Sequence, residues 1–162
     1  MNMLDYGCGN GVMLPTFAKH FDWVTAYDLF TNAARCLKLR YELGNVDVLS
    51  GWKRTLLPFW DKHFDVIWAS SVLEHIKDLD AAVYQLYRVL RPGGQLLFLS
   101  PNENWIYELG RKFLGLHKPP DHYHTGEEIE QKLTEHFECE IKKRWPPIIN
   151  LYVLGRYRRI EE

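Results

Sequence analysis

Along the chain, short apolar runs alternate with longer stretches in which apolar residues recur at helical spacing. Met1 to Tyr6 is apolar and runs into glycines, which predicts a buried strand ending in a turn. Val12 to His20 reads as a helix with Pro15 in its first turn, where proline is tolerated. Trp23 to Tyr27 is β-branched and aromatic and predicts a second strand. A helix over Thr31 to Leu43 follows, with Thr31 as N-cap and Gly44 as its stop. Val46 to Leu49 is a third strand, Trp52 to His63 a loop, and Phe64 to Ala69 a fourth strand. Leu79 to Leu90 carries a helical apolar stripe and ends at Arg91-Pro92-Gly93-Gly94, ahead of a fifth strand over Gln95 to Ser100. Beyond Pro101, an aromatic-rich helical stretch (104–116) leads through a loop (118–124) to a helix over Thr125 to Phe137. Thr125 and Glu128 are spaced as a capping box for that helix. Cys139 to Trp145 and Ile148 to Tyr157 flank Pro146-Pro147 and read as a closing antiparallel hairpin at a sheet edge, because proline cannot sit inside a central strand. The expectation is one domain over residues 1–162: a doubly wound, mostly parallel α/β sheet of seven strands, with helices on both faces and an antiparallel C-terminal strand.

Composition narrows the classes of function. The 162 residues suffice for one two-sided core. The formal net charge of −1 exerts no global pull toward nucleic acid or anionic lipid. Local positive charge at Lys142-Lys143-Arg144, Arg156, Arg158 and Arg159, with Trp145 and Tyr157 between, keeps an RNA-binding alternative open. Cys8, Cys36 and Cys139 form no C-x-x-C pair, which argues against a zinc knuckle and suggests a reducing compartment. No apolar run reaches the roughly 18 residues of a membrane span, and the first residues lack a signal-peptide pattern. A cytoplasmic location is expected.

The densest chemical signal is Asp5-Tyr6-Gly7-Cys8-Gly9-Asn10-Gly11. Glycines directly after a first strand let the backbone turn tightly and approach a ligand closely. A dinucleotide fingerprint would need glycine at position 12, which is Val12, so a pyrophosphate loop is disfavoured. Asp28 follows the second strand, where an acid can accept from both hydroxyls of a ribose; the alternative is a cap on the Thr31 helix.

These stretches, together with LLPFWDKHFDVIWASSVLEHIKD and LYRVLRPGGQLLFLSPN, resemble successive motifs of the class I S-adenosylmethionine-dependent methyltransferases. The likeness is to the broad group of quinone and small-metabolite (type 11) methyltransferases, and it covers nearly the whole chain. It implies a Rossmann-like sheet with S-adenosyl-L-methionine as cofactor and S-adenosyl-L-homocysteine as product. By motif position, Asp5, Gly7, Gly9 and Gly11 would line the methionine end of the cofactor. Asp28 would hold the ribose, Leu29 would lie against the adenine, and Ala69 and Ser70 would border the methionine. Gly51-Trp52 replaces the family's usual Gly-Asp pair, so Trp52 either walls the adenine or packs in the core. The likeness also implies one or two helices ahead of the first strand, whereas this chain begins inside that strand. The 104–124 insertion is then the candidate lid, with a partner subunit, an open site or a fragment of a longer chain as alternatives.

On the acceptor side, His75 is the candidate base, since histidine titrates near neutrality. Trp105, Tyr107, His122 and His124 are candidate substrate residues. Asp121, His122 and His124 lack a further ligand at metal spacing, so no metal is assigned. No Asn/Asp-Pro-Pro-Tyr tetrapeptide follows the fourth strand, which disfavours amino-methylation of nucleic acid. The leading expectation is methyl transfer to oxygen or carbon of a small molecule. A methyltransferase acting on RNA, protein or lipid, a non-catalytic cofactor-binding protein and a nicotinamide oxidoreductase are the alternatives.

Overall fold

Five parallel strands and a C-terminal antiparallel pair build a single sheet in the computed structural model, which describes residues 1–102, 105–115 and 120–160 apart from the side chains at 106 and 107. The strands are β1 (Asn2–Tyr6), β2 (Trp23–Asp28), β3 (Val46–Ser50), β4 (Phe64–Ser70), β5 (Leu90–Pro101), β6 (Phe137–Trp145) and β7 (Tyr152–Arg159). Their order is β3-β2-β1-β4-β5-β7-β6. The helices are α1 (Leu14–His20), α2 (Asn32–Arg40), α3 (Leu79–Val89), α4 (Trp105–Phe113) and α5 (Gly126–Leu133). The fold class expected from the pattern is the one observed.

The strand pleat sorts the core into two layers. Met3 of β1 joins Leu14, Phe17 and Ala34 of α1 and α2 on one face. Leu4 and Tyr6 join Val83 and Leu86 of α3 and Ile129 and Leu133 of α5 on the other. Burying each such aliphatic side chain is worth about 1.5–3 kcal/mol.

Several boundaries differ from the pattern, each for a physical reason. α1 begins at Leu14 rather than Val12, with Pro15 in its first turn. Gly44 does not stop α2. The helix closes earlier, with Glu42 in the left-handed region (φ 50°) and its amide on the Leu39 carbonyl, while the Leu43 amide reaches Lys38. Thr31 occupies the N-cap position without a capping bond, its hydroxyl pairing instead with Ser50 and accepting from Arg35 Nε. The RPGG segment is not a terminating loop. It lies within β5 as an irregularity, since Phe64 pairs with Leu90 but Val66 pairs with Gln95. α5 ends at Leu133, and Phe137 opens β6, so the helix is shorter than its apolar spacing suggested. Its capping box forms as expected, Thr125 Oγ1 accepting from the Glu128 amide and Glu128 from the Thr125 amide.

Register determines what meets at the carboxyl edge. Tyr6 is level with Tyr27 and with Ala69, and Asp28 is level with Ser50. The residues after β1, β2, β3 and β4 therefore emerge side by side. The order reverses between β1 and β4, the crevice where open α/β sheets bind ligands.

Candidate active site

The turn after β1 is anchored to β2, because the Gly7 and Cys8 amides both donate to the Tyr27 carbonyl. Gly7, Gly9 and Gly11 have φ of 78°, 51° and 75°, all in the left-handed region that favours glycine. Their reasons differ. A Cβ on Gly7 would fall 2.4 Å from Val72, and one on Gly11 would fall 2.8 Å from Leu14 and 3.0 Å from Ala34. A Cβ on Gly9 would meet nothing within 4 Å. Gly7 and Gly11 thus serve packing, while Gly9 borders open space from which a ligand can approach the backbone.

Asp28 ends β2 and reaches across to this turn. Its Oδ2 accepts from the Gly9 amide at 2.9 Å, and its Oδ1 accepts from the Leu29 amide at 2.6 Å and the Phe30 amide at 3.4 Å. Asp28 therefore braces the glycine turn and the chain leaving β2 rather than the α2 N-terminus. Arg54 Nη2 lies 3.8 Å from Oδ1, a partner that no sequence signal announced. The loop carrying Arg54 is held down by two buried tyrosines: Tyr6 donates to the Arg54 carbonyl and Tyr27 to the Lys53 carbonyl.

Asp5 is buried at the end of β1. Burial, reinforced by the negative charge of Asp28, pushes its carboxyl up to about 7. Burial likewise raises the Cys8 thiol to about 12, so it is not a reactive thiolate.

Gly51 is a packing glycine whose Cβ would collide with the Tyr27 hydroxyl. Trp52 is 74% exposed with Lys53 Nζ 5.1 Å above its ring, so it is not a core residue. Leu29 is half-buried and Phe30 exposed beside it. Ala69 is buried in β4, and Ser70 is half-buried at its end.

The acceptor-side residues gather around a 3-10 turn at Leu73–His75. Glu74 is buried, and its Oε2 accepts from Ser100 Oγ at 3.2 Å. His75 Nδ1 lies 2.9 Å from Asp121 Oδ2, and the His75 and His122 rings meet edge-on at 4.5 Å. The Tyr123 amide donates to the Glu74 carbonyl, fixing the 120–124 loop on the turn. His124 departs from its expected role: its Nε2 lies 3.1 Å from the Ile76 carbonyl, which ties the loop down away from the other two imidazoles. Trp105, Leu109 and Phe113 recur along α4 and are all exposed. The Tyr107 side chain and residue 104 lie outside the described residues.

Most of the basic residues of the C-terminal strands have partners within the protein. Lys142 and Arg144 pair with the buried Glu130 at 2.8 and 2.9 Å, and Arg156 and Arg158 both pair with Glu140. Tyr157 is buried, so it cannot stack a base, and Arg159 is buried with Nη1 donating to the Tyr87 carbonyl. Among the described residues, no helix is long and apolar enough to cross a membrane.

An open α/β sheet with a glycine turn after its first strand and an acid at the end of its second is the arrangement in which doubly wound domains commonly bind nucleotide-type ligands. Residues 4–98 match the family described as methyltransferase domain, and the chain belongs to that family. It is 33% identical over 117 residues to a malonyl-[acyl-carrier protein] O-methyltransferase of Erwinia billingiae, covering 72% of this chain and 45% of that one. It is 30% identical to a ubiquinone biosynthesis O-methyltransferase of Bradyrhizobium sp., covering 65% and 42%. The chain thus spans under half the length of these two relatives. The N-methyltransferase NodS of Bradyrhizobium japonicum, solved with S-adenosyl-L-homocysteine, shares the fold at a TM-score of 0.77 and 21% identity, over 99% of this chain and 78% of that one.

Proposed function

We propose that this chain binds S-adenosylmethionine along the carboxyl edge of β1, β2 and β4 and directs methyl transfer to oxygen or carbon of a small-molecule acceptor. The observation that carries this reading is the buried Asp28 bonded to the Gly9 amide, with the buried Asp5 near enough to feel its charge, at a glycine whose missing side chain leaves the backbone open to a ligand. Bound there, the cofactor supplies an electrophilic methyl group on a cationic sulfur. Asp5, Gly7, Gly9 and Gly11 face its methionine end, with Asp5 set against its positive charge. Asp28 receives a ribose hydroxyl on the Oδ2 lone pair that the Gly9, Leu29 and Phe30 amides leave over. Leu29, Gly51 and the exposed Trp52 border the adenine, while Ala69 and Ser70 close the methionine side.

Displacement at a methyl group asks the protein mainly to position the acceptor and exclude water. His75 is the group placed to receive an acceptor's proton, its ring held by Asp121. Trp105, Tyr107 and His122 are assigned to the acceptor side. His124 is left out of that set, since its ring is engaged with the 76–77 backbone. The two O-methyltransferase relatives support an oxygen acceptor, and the internally paired charges of β6 and β7 speak against nucleic acid.

Calorimetry with S-adenosylhomocysteine and a screen of S-adenosylhomocysteine release across metabolites test the proposal. Asp28→Ala is expected to weaken cofactor binding by about 1.5–3 kcal/mol, the scale of charge-assisted hydrogen bonds. Unchanged affinity in a folded Asp28→Ala protein rejects the ribose assignment, and no binding by the wild type rejects the function.

A further inference from the structure

Glu74 and His75 are neighbours in sequence, and the fold brings the distant His122 to them. One ligand-type atom from each lies within 4.8 Å of the other two. Glu74 is 1% exposed, and its Oε1 has no hydrogen-bond partner among the described residues. A buried carboxylate oxygen without a partner is costly unless a cation or proton meets it. Burial raises this carboxyl above its ordinary range, and the neighbouring His75 and His122 pull it back only in part.

We propose that Glu74, His75 and His122 bind one divalent first-row transition-metal ion beside the cofactor cleft. Two imidazoles and one carboxylate are the donor set that zinc, cobalt, iron or manganese accepts, and three protein ligands leave positions open for an acceptor. Bonds of about 2.1 Å to a shared ion place ligand atoms about 3.4 Å apart, so the cluster needs only a small inward adjustment. His75 already has a carboxylate partner on one ring nitrogen. Its Nδ1 faces Asp121 Oδ2 at 2.9 Å, and an Nδ1–H donor there leaves Nε2 with the lone pair a metal needs. A carboxylate holding a ligating histidine in this way fixes the ring and raises its basicity. Ser100 Oγ steadies the other oxygen of Glu74. The sequence reading assigned no metal because His122 and His124 had no further ligand beside them. The fold brings Glu74 and His75 to His122 and sends His124 to the Ile76 carbonyl instead.

The ion's meaning for the reaction rests on the function proposed above, whereas its binding does not. A divalent ion here would select acceptors with oxygens able to chelate it and would hold a hydroxyl in its ionised form. His75 would then be a ligand rather than a free base.

The test uses untagged full chain, stripped with chelator and titrated with Co2+ while visible absorption is followed. The expected result is saturation at one ion per chain, with weak d–d bands of nitrogen and oxygen ligation and no thiolate charge-transfer band from Cys8, Cys36 or Cys139. His122→Ala is expected to weaken binding at least 30-fold and Asp121→Asn about 10–100-fold. His122→Ala should still bind S-adenosylhomocysteine with wild-type affinity, which shows that the variant is folded. Absence of saturable binding, or equal affinity in wild type, His75→Ala and His122→Ala, overturns the site and leaves His75 as a free base. Metal binding without S-adenosylhomocysteine binding would keep the site and remove the methyltransferase reading.

Discussion

Replacing Asp5 by Asn should change how the protein responds to pH in a direction the structure dictates. The Asp5 carboxyl is 4% exposed and is held up to about 7, first by burial and then by Asp28, against an ordinary value of 3.8. At the acid end both folded and unfolded chains carry Asp5 protonated. As pH rises, the unfolded chain loses this proton first, while the folded chain keeps it until about 7. The unfolded state binds fewer protons over that interval, so this residue's contribution to stability falls between about pH 4 and 7 and is level above. The gap of about three pH units corresponds to about 4 kcal/mol at most. Asn keeps the shape and cannot ionise, so its own packing cost is the same at every pH. Urea unfolding of both proteins at pH 4.5 and pH 8 isolates the effect, with Asp5→Asn gaining about 2–4 kcal/mol on the wild type between the two. Calorimetry supplies the second arm. A cationic cofactor favours the ionised acid, so wild-type affinity for S-adenosylmethionine should climb by close to tenfold per pH unit below about 7 and level off above. The variant should bind weakly, with no such slope. Parallel pH–stability curves for the two proteins would refute the account of Asp5 as a buried neutral acid.

The three glycines of the turn should respond differently. Gly9→Val is expected to abolish cofactor binding while shifting stability by only about 1–2 kcal/mol for its positive φ, because its Cβ meets no protein atom. Gly7→Ala should destabilise the fold by more, since Val72 stands 2.4 Å from the added carbon; thermal melts and calorimetry on both variants check the contrast. For the proposed lid, hydrogen exchange with S-adenosylhomocysteine should slow along residues 105–115, which present Trp105, Leu109 and Phe113 to solvent. Protection confined to residues 7–11 would reject the lid.

Much of what was local the sequence by itself determined, although the stop at Gly44 and the capping bond at Thr31 did not form. The alternation of β-branched runs with helical stripes specified the sheet and its helices, because the two periods, near 2 and 3.6, are properties of backbone geometry. The glycine turn and Asp28 were legible for the same reason, as a turn and an acid at the ends of two strands whose register brings them together. The capping box at Thr125 was readable from a three-residue spacing. The tertiary structure alone decided what depended on distant segments. It put Arg54 against Asp28, seated Asp121 on His75 across 46 positions, and carried His124 away from the neighbouring imidazoles. It placed Trp52 in solvent and Tyr157 in the core, two aromatics whose type allows either fate. It also absorbed RPGG into β5, since a register irregularity opposite β4 can hold residues that local rules assign to a turn. Spacing along a chain constrains neighbours within a turn or a strand, whereas charge pairing, burial and ligand clusters are set by which distant surfaces pack, and that is a property of the whole fold.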